Sequence, residues 1–235
     1  MNDHAPQATA ADRQDWVMLT SEEWRYREGE TPPPEAIVGA WPLDAEGGLG
    51  LFEPNPGFLP SGPRVPTDPA DAAIRLALGG DVDAAGQIVP LLWSAVLETP
   101  VSEDGSPLVG SSPDDVPCVV VVTAAVNRAR VEAPLWRRVS AAELVGLLPA
   151  ATDVLINPDG PAAMRLLADV FCDGPPPDAP QAGPASQHKS AEERRRLPDR
   201  DSGTDSSRPR PGHVGVWGGS LPDEVEMNSL PPHVE

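Results

Sequence analysis

Proline decides where this chain can fold. Of its 31 prolines, 11 fall in the last 62 residues, interspersed with Gly, Ser and charged side chains. Each proline withholds a backbone donor and fixes φ, so neither a helix nor a sheet ladder runs far through such a stretch. From Gly174 onward the apolar clusters are short, such as Val214 to Trp217 (VGVW). They bury too little surface to offset about 1–2 kcal/mol per residue of backbone ordering. The tail, residues 174–235, is therefore expected to be disordered, and so are residues 1–13. Residues 14–173 are left, a normal size for one domain that buries around 70 % of its extended-chain surface.

Within that span the pattern predicts short strands alternating with short helices. Trp16 to Leu19 reads as a first strand, and Ile37 to Trp41 and Leu49 to Glu53 as a hairpin around the turn-rich DAEGG. The stretch TDPADAAIRLAL offers a cap at Thr67 or Asp68, proline at the first helical position, and one apolar face through Ile74, Ala77 and Leu78. Gly79-Gly80 ends that helix. Leu91 to Glu98 (LLWSAVLE) and Cys118 to Thr123 (CVVVVT) read as central strands. The second is a β-branched run of the kind covered on both faces. Between them lies a turn and a short edge strand. Trp136 to Val139 is a further strand, and Ser140-Ala-Ala-Glu143 is a capping box opening a helix to Leu148. Asp153 to Ile156 is the last strand, closed by Asn157-Pro158-Asp159-Gly160, with a final helix expected from Pro161 to about Val170. The fold class is mixed α/β (α+β): one domain with a mixed, largely antiparallel sheet flanked by short helices.

Charge narrows the partners. The chain holds 36 acids against 17 bases, a formal charge of −19, and residues 1–173 carry 26 of the acids and 10 of the bases. The acidity thus belongs to the expected folded body and not to an appendage. Such a surface repels phosphate polyanions and anionic lipid headgroups, so nucleic acid and membrane are not the expected partners. No apolar run approaches the roughly 18–20 residues of a spanning helix. The first residues have neither a basic head nor an apolar core, so no secretory signal is expected. Cys118 and Cys172 suit a reducing cytosol, which makes the expected location cytoplasmic.

The chemistry-bearing side chains are unusually few. His4, His188, His213 and His233 all lie in the expected disordered termini, as does Lys189, the single lysine. Residues 14–173 therefore carry no imidazole and no primary amine, which removes Ser-His-Asp and Cys-His schemes, histidine metal sites and Schiff-base lysines from the body. Neither a GxxxxGK[ST] nor a GxGxxG stretch occurs. Glu103-Asp104 and Asp114-Asp115 read as solvated loop acids, because no spaced D-x-D-x-D-G loop accompanies them. No catalytic residue, metal ligand or cofactor is expected. Two kinds of candidate remain. Asn157, Asp159 and Gly160 form a turn whose amides, at the start of the expected last helix, suit an anion or small ligand. Trp24, Trp41 and Trp136 are candidate anchors for a protein partner, since tryptophan is enriched at interface hot spots.

The order of these segments carries a resemblance. LLWSAVLE, the Glu103-Asp104-Gly105 turn, Pro117 with CVVVVT, AAELVGLLP and VLINPDGPAAM together resemble an SseB N-terminal-like domain over residues 91–171. Ahead of it, DWVMLTSEEW, PPPEAIVGAW, EPNPGFLPS and PTDPADAAIRLALGG (residues 14–80) are similar to the N-terminal extension of type VII secretion system-associated proteins. One departure is Val122-Thr123-Ala124, where that domain often has Phe-Thr-Ser. The resemblance implies a non-enzymatic accessory protein whose partners are components or substrates of an ESX-type export system. Trp217-Gly218-Gly219 and Tyr26 to Glu30 match strings found in type VII substrates, but in reverse order, so the chain reads as machinery and not cargo. The leading expectation is a binding module with an acidic face, and the alternative is an anion- or ligand-sensing module built on the Asn157–Gly160 turn. The sequence leaves the oligomeric state open.

Overall fold

Local signals start most of the elements. Asp68 caps helix α1 (Pro69–Leu78) by accepting from the Asp71 amide at 2.9 Å, and Pro69 takes the first position, where no donor is needed. Ala70, Ala73 and Ile74 line its buried face, and Gly80, with φ +94°, ends it in a conformation that favours glycine. Ser140 and Glu143 form the reciprocal box that opens α3 (Ala141–Leu147). In the computed structural model, residues 15–25 and 30–174 and the backbone of 214–217 are described.

The architecture is α+β. Strands β1 (Trp16–Thr20), β2 (Ile37–Pro42) and β3 (Glu53–Pro54) form an antiparallel N-terminal sheet. Helices α1 and α2 (Val82–Trp93) follow and pack on each other. The C-terminal half contains β4 (Leu97–Val101), β5 (Val109–Ser111), β6 (Pro117–Val121), β7 (Leu135–Val139), α3, β8 (Asp153–Ile156), β9 (Met164–Leu166) and α4 (Ala168–Cys172). Its main sheet runs β5-β6-β8-β9, and β6 pairs with β8 in parallel. Strand β4 pairs with β7 and is tied to β6 by the reciprocal Glu98–Val122 backbone bonds. The Phe52 amide donates to the Ser94 carbonyl and the Val96 amide to the Phe52 carbonyl, joining the N-terminal sheet to the rest. One hydrophobic core runs through both halves, from Val17, Trp41 and Phe52 through Ile74, Leu92 and Leu97 to Val121, Leu144, Ile156 and Phe171.

Gly39 holds the N-terminal sheet together at close range. A β-carbon there would stand 2.3 Å from the Phe52 ring and 2.5 Å from the Glu53 carbonyl. Gly39→Ala is expected to destabilise the protein by roughly 1–3 kcal/mol through overpacking, read from the urea midpoint at unchanged slope.

Three expectations are corrected. LLWSAVLE is not one strand, because Leu91 to Trp93 are the last turn of α2 and β4 begins at Leu97. Asp81 caps α2 at the Ala84 amide, and Ile88 and Leu92, one turn apart, bury against the core. Gly86 and Pro90, residues of poor helix propensity, sit inside this helix, where tertiary burial of its apolar face outweighs that cost. The helix expected from Pro161 to Val170 is replaced by β9 and the five-residue α4. Pairing of Val154, Leu155 and Ile156 with Leu166, Arg165 and Met164 takes those residues into the sheet despite their helical leaning. Finally, Val214–Trp217 forms strand β10 on β1, with Trp16 opposite Trp217 and Leu19 opposite Val214, so this part of the tail is ordered. Apart from Gly174, the other residues of the two expected disordered segments lie outside the described ones.

Candidate functional site

In α/β folds, ligands gather beyond the carboxyl ends of parallel strands. Here those ends belong to β6 and β8, and the apolar runs close there on Thr123 and Asn157, both buried. The Asn157 side chain spans the gap between them. Its Oδ1 accepts from the Thr123 amide at 3.0 Å and from Asn127 Nδ2 at 3.2 Å, while its Nδ2 donates to Thr123 Oγ1 at 2.9 Å. Asn157 takes φ +45°, which asparagine tolerates better than branched residues.

The N-terminus of α1 fills the space beyond. Thr123 Oγ1 donates to Asp68 Oδ2 at 2.5 Å, and Thr67 Oγ1 donates to the same oxygen at 2.7 Å. Asp71, one turn on, is also buried. It accepts from the Thr67 amide at 3.0 Å and pairs with Arg75 at 2.8 Å. Burial, reinforced by the neighbouring Asp71 carboxylate, pushes the Asp68 carboxyl up to about 6, against the hydrogen bonds from Thr123, the Asp71 amide and Thr67. Trp41, Asp68, Ser94 and Ala95 edge a cavity of about 10 Å³ beside this junction, a space of about one water molecule.

The anion turn therefore takes a different form from the one expected. Asn157 is 1 % exposed and spends its side chain on Thr123 and Asn127. Its own amide donates to the Val121 carbonyl, and the Gly160 amide donates to the Asn157 carbonyl. Asp159 is exposed, with φ +55°, and its carbonyl accepts from Arg130 at 3.1 Å. The chain leaves the turn toward β9, so the helix dipole on which the anion reading rested is absent there.

The three tryptophans do not share one role. Trp41 is 4 % exposed and packs on Phe52 with ring centroids 4.7 Å apart, which makes it a core residue and corrects its reading as an anchor. Trp24 and Trp136 are half-buried. Trp136, on β7, lies beneath the Arg128 guanidinium, 5.7 Å from its ring centre, and Arg128 is ion-paired with Glu98 on β4. Arg138 reaches Glu53 at 2.8 Å, tying β7 to the N-terminal sheet.

Two features escaped the sequence reading. Thr123 and Asn157 each follow a buried apolar strand, a placement that signals a polar junction at the strand ends. Arg128, Arg130, Arg137 and Arg138 hold four of the nine bases of residues 14–173 within eleven residues, a local basic run in an acidic body. Elsewhere Asp44, Glu46, Asp81, Asp83, Glu103 and Asp104 are exposed, and none shares an ion pair among the described residues. Among those residues no helix is long and apolar enough to cross a membrane, and no group of three or more His, Cys, Asp or Glu is placed to hold a metal ion. No family model and no curated protein matches the sequence, and no solved structure matches the chain.

Proposed function

We propose that this chain is a non-enzymatic recognition module, a cytoplasmic accessory protein of a type VII (ESX-type) secretion system that binds protein components or substrates of the apparatus. The observation that carries the recognition reading is the filling of the β6/β8 ends. The position that would receive a small ligand is taken by Asp68 and Thr67 of the chain itself. What the body offers a partner is then its outer surface, rich in carboxylates without arginine neighbours. Such a surface draws basic segments by long-range attraction, and half-buried Trp24 and Trp136 add apolar contact at close range. The link to the export system rests on the joint order of the segments in residues 14–171.

Titration of the purified full chain against the cytosolic portion of an export ATPase, and against paired helical-hairpin substrates, tests the reading. Binding is expected, with a dissociation constant that rises about tenfold or more between low and half-molar salt. Affinity indifferent to salt would remove the acidic surface as the basis of recognition, and no binding to either class would remove the export assignment.

A further inference from the structure

A sheet edge is a row of unpaired amides and carbonyls, and folded proteins protect it with charge, proline or brevity. Several edges here follow that rule. Strand β7 carries Arg137 and Arg138, β9 carries Arg165, β3 is two residues long and ends in Pro54, and β5 is three residues long. Strand β1 does not. Its sequence WVMLT has neither charge nor proline over five residues, and β2 occupies just one of its edges. The other edge is covered by β10, paired antiparallel from Trp16–Trp217 to Leu19–Val214.

That cover comes from far along the chain. Residues 174–213, 40 in all, separate β10 from the body. Fully extended they span about 130 Å at most, so the chain reaches β1 with ample slack. The four covering residues combine β-formers with one glycine and are bounded by Gly212-His213 on one side and Gly218-Gly219 on the other. A pairing of four residues on one edge, held through so long a connection, is local and exchangeable.

We infer that the outer edge of β1 is a strand-addition site for an extended apolar–Gly–apolar–Trp segment, and that Val214–Trp217 is its resident occupant, held in cis. The ligand class is a short extended peptide, read mainly through its backbone. The inference stands apart from the export assignment, because it concerns a different surface and its test uses no component of that system.

Neighbouring residues of a strand point their amides to opposite sides, so proline at both Gly215 and Val216 removes one ladder donor in either phase. These changes lie outside the folded body and leave its core intact. In the full chain carrying Gly215→Pro and Val216→Pro, the outward β1 amides are expected to exchange with solvent about tenfold faster or more, while β6 and β8 amides keep their protection. A peptide of residues 211–220 (PGHVGVWGGS) at millimolar concentration should restore the slow exchange, and the same peptide with both prolines should not. A concentration-dependent dimer that the proline variant loses would also support the site, filled by a second copy's tail. Unchanged β1 exchange in the variant, or no restoration by the peptide, overturns the inference.

Discussion

Replacing Asn157 by alanine is expected to lower the unfolding free energy by roughly 4 kcal/mol, a fall of about 10 °C in Tm for a domain of this size. The side chain removed is the acceptor for the Thr123 amide and for Asn127 Nδ2, and the donor to Thr123 Oγ1. All these groups are buried, and each donor stranded in the interior costs about 1–3 kcal/mol. Alanine also puts a β-carbon at φ +45° with no side-chain hydrogen bond in return, which adds about 1 kcal/mol. Asn157→Gly separates the two contributions, since glycine loses the hydrogen bonds but relieves the backbone. Urea denaturation of both variants measures them. A loss below about 1 kcal/mol in Asn157→Ala would mean that the strand ends are not joined as described.

The second large effect is a dependence on pH carried by Asp68. Its folded-state carboxyl titrates at about 6, above its ordinary value of 3.8, because burial and the Asp71 carboxylate oppose its charge. The folded state therefore binds this proton more tightly than the unfolded chain. The resulting stabilisation is complete below pH 3.8 and is lost as pH rises through about 6, a difference of roughly 3 kcal/mol. The exposed carboxyls of Asp104, Asp114 and Glu143 are held below their ordinary range by hydrogen bonds, chiefly from Ser102, Ser112 and Ser140. They are present in both chains, so their contributions cancel in the comparison with Asp68→Asn. Asp68→Asn keeps an oxygen for the Asp71 amide but removes the ionisation. The stability of the unmodified chain minus that of Asp68→Asn is thus expected to fall by roughly 2 kcal/mol between pH 4 and 7, most of the full difference. A difference that stays constant with pH would show that Asp68 ionises freely, and that α1 is not sealed onto Thr123.

Both results concern one structural decision. The segment 14–80 does not sit beside the C-terminal sheet as a separate unit. It inserts the start of α1 into the place where an α/β protein would hold a ligand, and fixes it there by hydrogen bonds from Thr123 and, through Thr123, to Asn157.

Much of the fold was legible residue by residue. The Asp68 and Ser140 caps, the proline opening α1, the glycines closing it and the valine run of β6 are signals whose cause lies within a few residues. Asp68 as a cap was visible in this way, but its burial against Thr123, 55 residues away, was not. Of the candidate sites, the exposed Asp159 and half-buried Trp24 and Trp136 were placed by sequence near the surface. Trp41 and Asn157 were not distinguishable from them, because a tryptophan or asparagine looks the same in sequence whether it faces water or a core.

The sequence by itself determined the elements whose hydrogen bonds close locally, together with the acidic charge and the lack of imidazole and amine groups in the body. Tertiary structure alone decided that α2 runs through Pro90 and that residues 164–166 join the sheet. It likewise drew VGVW onto β1 and buried Asp68 at a cost to its ionisation. The physical reason is range: caps and turns are satisfied within one turn of chain, whereas burial and strand pairing depend on groups that folding brings from tens of residues away.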